Sequence, residues 1–370
     1  VKKRLVNEFL ELVQIDSETK HEEIIAPILV RKLEEMSFEV YQDDAHTRNG
    51  HGVGNIIATL SGSLDVEPIY FTVHMDTVVP GVGIKPVIRE DGYIYSDGTT
   101  ILGADDKAGI AALFEMVKRL KEQEIKHGTI QFVITAGEES GLAGAKELDR
   151  SKIIAKYGFA VDSDGKVGGI VTGAPYQAKL NVKIIGKTAH AGVAPEKGVS
   201  AITLASKAVA RMKLGRIDEE TTANIGRFEG GKATNIVCDE VIIVAEARSI
   251  NQSKLDAQTN HMKEIFEEVA LQNGGRAEVD IQLMYPGFNV SEEDKVVQVA
   301  MQAVKNIGRN PNLGLSGGGS DANIISSFGI PTVVLSVGYE DIHTTNERMP
   351  IEELEKLADL LVEVVKCSTK

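Results

Sequence analysis

Apolar positions change their period twice along this chain. In the first stretch, helical spacing runs from Glu22 to Met36. Strand-like runs follow at Asn55–Leu60 and Ile69–His74. Ile110, Leu113, Val117 and Leu120 fall on one face and predict a helix from about Asp106 to Lys121. The apolar runs Ile130–Ala136 and Phe159–Val161 read as buried strands, so the stretch is an α/β sandwich around a central sheet. The middle of the chain is different. Gln177–Ile185 alternates, Val199–Met212 is helical, and Ala223–Phe228 and Val241–Arg248 are strand-like. A helix carrying Leu255, Met262, Ile265, Phe266 and Val269 then precedes an alternating run, Glu278–Met284. This order, β-α-β-β-α-β, is the ferredoxin-like unit. After Pro286 the first style returns, with helices at Val296–Ile307, Asp321–Ser327 and Ile351–Lys366 and a strand at Pro331–Val337. The pattern predicts an α/β domain of residues 1–174 and 286–370, interrupted by an inserted ferredoxin-like domain over 175–285.

Composition narrows the classes. Of 370 residues, 42% are hydrophobic, enough for a substantial core, and the length favours two domains. A net charge of −14 argues against nucleic acid or an anionic membrane as partner. The two cysteines, Cys238 and Cys367, make neither a disulfide framework nor a cysteine metal site, and they fit a reducing cytoplasm. No long apolar segment follows Val1-Lys2-Lys3-Arg4, so no signal peptide is expected, and no run is long enough for a transmembrane helix.

Acids and imidazoles recur just after the apolar runs. His74-Met75-Asp76 ends one strand pattern, Gly137-Glu138-Glu139 follows another, and Asp162 closes a third. Asp105-Asp106 opens the predicted helix, and His343 follows the last strand pattern. Singly, each has an ordinary explanation: a loop histidine, a helix cap or a turn. Jointly they place two histidines and several carboxylates at strand ends, where open α/β sheets carry their sites. That ligand set suits a pair of zinc ions sharing a carboxylate, with cobalt or manganese as substitutes. Two other motifs carry less. His21-Glu22-Glu23 lacks a second histidine at position 25, so it is no zincin helix, and Gly317-Gly318-Gly319-Ser320-Asp321 lacks the spacing of a nucleophile elbow.

The segments Phe71–Thr77, Gly103–Gly109, Gly137–Glu139, Ala160–Asp162, Gly186–Gly192 and His343–Glu347 occur in an order that resembles the M20 metallopeptidase family. Within that family the chain is similar to the tripeptide aminopeptidases of the peptidase T group. The resemblance implies a Zn-exopeptidase-like α/β catalytic domain with the inserted domain as a lid. It implies that Asp105 bridges two metal ions, with His74 and Asp162 on one and Glu139 and His343 on the other. Glu138 becomes the general base, Asp76 the residue that orients His74, and the Asp105–Asp106 peptide is cis. His190 on the lid is implied to contact the scissile carbonyl oxygen, Asn235 and Arg248 to hold the substrate carboxylate, and Gly318 and Gly319 to line the cleft. Many relatives carry Asp two residues before that arginine, where this chain has Glu246.

The expected activity is hydrolysis of short peptides from a free N-terminus. An amidohydrolase or carboxypeptidase acting on N-acyl amino acids or dipeptides would use the same chemistry. A metal-binding scaffold without catalysis would lack the base or a ligand, and this chain has both. The unpaired edge of the lid sheet offers a contact for a homodimer.

Overall fold

The structure, a computed structural model, describes residues 2–370; Val1, at the head of the basic N-terminal run, lies outside them. By internal contacts the chain forms two units. One comprises the chain through Gly173 with Asn289–Ser316 and Ser320–Lys370; the other comprises Ala174–Phe288 with Gly317–Gly319.

The first unit is built on a mixed sheet. Its strands lie in the spatial order Glu39–Gln42, Ile56–Leu60, Ile130–Thr135, Ile69–His74, Tyr157–Ser163, Thr332–Ser336 and Gly169–Ala174. The four strands Ile130–Thr135, Ile69–His74, Tyr157–Ser163 and Thr332–Ser336 run parallel to one another. Every residue of Ile69–His74 and Ile130–Thr135 is buried, as in parallel strands covered on both faces. That explains why both read as unbroken apolar runs in the sequence. The helix Ala104–Glu122 packs against Lys2–Val13 and Ile351–Ser368. Three strands of little apolar character, Glu39–Gln42, Gly169–Ala174 and Asn312–Leu315, have no counterpart in the predicted set. They are short or glycine-bearing, and Gly169–Ala174 and Asn312–Leu315 pair with segments far away in sequence.

The second unit is an antiparallel sheet in the order Gly215–Arg216, Thr221–Gly230, Glu240–Ser249, Tyr176–Ile185 and Arg276–Tyr285. Helices Ala201–Arg211 and Gln252–Gln272 contribute Leu204, Ala205, Met262 and Phe266 to one core with Leu180, Val182 and Ile243. Burial alternates strictly along Glu240–Ser249, as one covered face requires. The main elements give β-α-β-β-α-β, with the two-residue strand Gly215–Arg216 added at an edge. No helix among the described residues is long and apolar enough to cross a membrane.

Candidate metal centre

Four parallel strands end side by side, and the acids and imidazoles gather at their carboxyl ends. His74 closes its strand with its ring buried. Its Nδ1 donates to the Asp76 carbonyl oxygen at 2.9 Å, so in the neutral ring Nε2 carries the lone pair that a cation would take; without a cation, burial disfavours the charged ring but hydrogen bonds to Asp105 and Asp162 outweigh it and Nε2 holds a proton. Nε2 lies 3.0 Å from Asp105 Oδ1 and 3.7 Å from Asp162 Oδ1. His343 Nε2 lies 3.2 Å from Asp105 Oδ2 and 2.8 Å from Glu139 Oε1. The two oxygens of one carboxylate, Asp105, thus each face an imidazole nitrogen, and each imidazole has a second carboxylate beside it.

The turn after Ile130–Thr135 carries the paired glutamates. Asp76 holds it: its carboxylate accepts from Glu138 N at 3.0 Å and Glu139 N at 3.2 Å. The sequence reading has Asp76 orient His74. The shorter contact to that ring comes from the Asp76 backbone carbonyl, while Oδ1 stands 3.4 Å from Nδ1 and is spent on the turn.

The electrostatics are those of an acid cluster short of positive charge. Among the described residues, the ion-pair partners of Asp105, Glu139 and Asp162 are His74 and His343 alone. Burial raises Glu138 well above the ordinary carboxyl range, with the Asp162 charge adding to it. Burial likewise lifts Asp162 to about 6, helped by Asp105 and Glu139 and opposed by its hydrogen bond to His74. Asp105 goes the other way, because hydrogen bonds from His343 and His74 outweigh its burial. The same contacts push His343 up to about 10. Lys107 is fully buried close by, but its Nζ donates to the Ile15 carbonyl at 2.6 Å, and burial lowers it to about 7.

Lone pairs facing lone pairs at 3 Å require a proton or a metal ion between them, so the donor set fits divalent cations. Among the described residues, His74, Asp105 and Glu139 form one group with ligand atoms within 4.8 Å of one another, and His74, Asp106 and Asp162 form another.

A profile of Peptidase family M20/M25/M40 matches residues 70–366. The chain belongs to that family. The crystal structure of aminopeptidase PepT from Bacillus cereus ATCC 10987 superposes with a TM-score of 0.97 at 62% identity, covering 100% of this chain and 99% of that one. A tripeptidase from Staphylococcus aureus subsp. aureus Mu50 gives 0.98 at 53% identity over 100% and 99%. Peptidase T of Fusobacterium nucleatum subsp. nucleatum is 32% identical over 85% of this chain and 84% of its own length.

Several residues of this M20 centre carry no role in the sequence reading. Glu347 is buried and accepts from Leu102 N and Gly103 N at 2.8 Å each and from Asp105 N at 3.1 Å. It therefore ties the His343 segment to the loop that presents Asp105. The Asp105–Asp106 peptide is cis, as the family resemblance implies, and both residues depart from helical geometry at the head of their helix. Tyr339 OH donates to Asp162 Oδ1 at 3.1 Å. Asp321 accepts from Thr135 Oγ1, and burial raises its carboxyl to about 7. An acid two positions after the glycine run 317–319 is the available signal for Asp321; Glu347 has none beyond its place in a family segment.

The remaining candidates lie in the second unit. His190 is exposed, and its Nδ1 accepts from Gly192 N and Val193 N at 3.2 Å, so Nε2 carries the proton. The backbone carbonyl of Asn235 accepts from Ala191 N at 2.9 Å, which fixes its main chain beside His190. Arg248 donates to Glu246 at 2.9 and 3.2 Å and to the Gly317 carbonyl at 3.1 Å. Gly318 stands between Gly317 and Gly319, and a Cβ on Gly319 would lie 2.5 Å from the Tyr285 ring, so glycine is needed there for packing.

Proposed function

We propose that this chain is a two-metal aminopeptidase of the M20 family that removes the N-terminal residue from tripeptides, with zinc as the preferred ion. The observation that carries the reading is the pair of imidazole nitrogens on the two oxygens of Asp105, each backed by a further carboxylate. Asp105 would bridge the ions, His74 and Asp162 would complete one site, and Glu139 and His343 the other. When bound, such ions polarise the scissile carbonyl and lower the pKa of the attacking water. Glu138, ionised when cations sit beside it, accepts the proton of that water and returns it to the leaving amine, and its burial favours the protonated form needed for the return. Asp76 keeps Glu138 in place through its backbone N–H. His190, with Nε2–H directed outward, supplies a donor for the oxyanion when the lid closes. Arg248, oriented by Glu246, and Asn235 take the substrate carboxylate, and Gly318 and Gly319 border the cleft. The buried free cysteines Cys238 and Cys367 fit a reducing compartment, and a cytoplasmic location is part of the proposal. So is a homodimer through the edge of the lid sheet.

The test is a peptidase assay on protein depleted of metal and reconstituted with zinc, cobalt or manganese. The expected result is no turnover without metal and a preference for a free-amine tripeptide over its N-acylated form. In the same assay Arg248→Ala should act mainly on KM, because a carboxylate anchor binds substrate and transition state alike. Full turnover in verified metal-free protein removes the mechanism. Preference for the N-acyl substrate transfers the chain to the amidohydrolase reading.

A further inference from the structure

We propose that Glu22, His51 and Ser140 form a hydrogen-bonded brace that fixes the turn bearing Glu138 and Glu139, so that His51 and Glu22 are positioning residues of the centre. This rests on the reading of those two glutamates as base and metal ligand.

The turn is held from two sides. On one side Asp76 takes the backbone N–H groups of Glu138 and Glu139. On the other side the His51 ring lies against Gly137, where a Cβ would come within 2.2 Å of ring atom Cε1. Gly137 also has a φ of +69°, so both the conformation and the ring demand glycine. The His51 ring then bonds at both nitrogens. Nδ1 lies 3.2 Å from Glu22 Oε1, and Nε2 lies 3.1 Å from Ser140 Oγ. Ser140 Oγ is in turn 2.7 Å from Thr19 Oγ1.

The protons have one consistent order. Glu22 Oε1 already accepts from Lys20 N at 3.0 Å and meets the ring as an acceptor. His51 therefore donates from Nδ1 to Glu22, and its Nε2 is left as the acceptor for the Ser140 hydroxyl. Ser140 keeps lone pairs free for the Thr19 hydroxyl. Glu22 thus selects the His51 tautomer, and that tautomer selects the direction in which Ser140 points. Glu22 is fully buried and His51 nearly so, and no lysine or arginine pairs with Glu22 among the described residues. Burying a carboxylate and an imidazole together is costly, and here the return is a fixed ring against the turn. Asn55 extends the brace: it accepts from Ala136 N at 3.3 Å and donates to the Gly144 carbonyl at 2.9 Å, gripping the chain on either side of the turn.

Placement of Glu138 and Glu139 matters at sub-ångström scale, because misplacing a reacting group by about 1 Å can cost roughly 100-fold. Ser140→Ala removes the last bond of the brace without adding bulk, and Glu22→Met removes the acceptor that selects the tautomer at similar side-chain length. Each should lower kcat by about 10-fold, within that bound, with KM and thermal midpoint little changed. Each should also weaken zinc binding to metal-depleted protein by calorimetry and speed hydrogen exchange at the amides of residues 138–142. His51→Gln, whose amide can still bridge Glu22 and Ser140, should retain more of all three properties than His51→Ala. The exchange measurement needs neither substrate nor metal, so it decides the brace even if the peptidase reading fails. Exchange, zinc affinity and kcat all within twofold of the unsubstituted protein in both Ser140→Ala and Glu22→Met would overturn the proposal. So would losses that merely follow a fall in the folded fraction.

Discussion

The first unit buries two kinds of carboxylate, and they differ in what meets them. Between the helices, Glu115 accepts from Arg4 at 2.9 Å and Arg119 at 2.8 Å. Glu353 accepts from Arg309 at 2.6 Å on each oxygen and from Val167 N at 2.8 Å. Burial raises both carboxyls, but these hydrogen bonds outweigh it and hold them below the ordinary range. At the strand ends burial also raises Asp106, Glu138 and Asp162, and there neighbouring acids add to it. The outcomes are opposite because one set has guanidinium groups, whereas the other lies deeper and has only two imidazoles. The paired acids are complete within the chain and serve the fold. The unpaired ones leave an electrostatic deficit that only something from outside removes, and a deficit of that kind at strand ends marks a functional site.

Glu138 gives the comparison its severest trial. On the proposed reading Glu138 carries a proton and is no ligand, so it should be replaceable without loss of metal. Glu138→Gln should keep both ions by elemental analysis while turnover falls by about 10²–10⁴-fold, the usual worth of general acid–base catalysis. If metal content collapses and activity per bound ion stays normal, Glu138 is a ligand and belongs with Glu139.

How far such residues can be read from sequence follows from how each is held. Strands buried on both faces announce themselves as apolar runs, so Ile69–His74 is predicted with the bounds it has, and the acids just beyond the runs stand out. The lid helix predicted over Val199–Met212 spans Ala201–Arg211, because Ser200 caps it by accepting from Thr203 N. Glu347 and His51 leave no such trace. Their work is a side-chain bond to a backbone or hydroxyl group more than 80 positions away, which neither periodicity nor local spacing encodes. Glu22 sat in a triplet that fails as a zinc helix, and nothing nearby pointed to His51. Gly215–Arg216 was missed for a simpler reason: two residues carry no period.

A pair of neutralising substitutions turns the contrast into a difference of sign. In metal-free protein Asp162→Asn removes one of several repelling charges while its amide oxygen still accepts from Tyr339. It should stabilise by on the order of 1–2 kcal/mol near neutral pH. Glu115→Gln takes from Arg4 and Arg119 one of the two carboxylates each pairs with and should cost about 2–3 kcal/mol, less than a fully buried pair because Arg4 is partly exposed and Glu122 and Asp359 remain. Urea unfolding with a chelator present measures both. Destabilisation by Asp162→Asn equal to that by Glu115→Gln would mean the strand-end acids are already satisfied and the deficit does not exist.

The pH dependence of the metal-free protein carries the same contrast at smaller amplitude. Asp162 at about 6, and Asp321 and Glu347 at about 7, sit above their unfolded values near 4. A carboxyl raised by folding takes up its proton more readily in the folded state. Acidification from pH 7 toward 4.5 should therefore increase stability. Glu115 and Glu353, held low, contribute fully above their unfolded value and lose that contribution only as pH falls below about 4.3, outside the window. Lys107, lowered to about 7, is charged in both states over most of this range and opposes the trend only above it. The thermal midpoint of chelated protein should rise from pH 7 to 4.5. Zinc should reverse the slope, since the ion competes with protons for the same oxygens and its stabilising effect grows with pH. Parallel curves with and without zinc would show that the ion binds away from Asp105 and Asp162, and that the strand-end acids are held apart by something other than a missing cation.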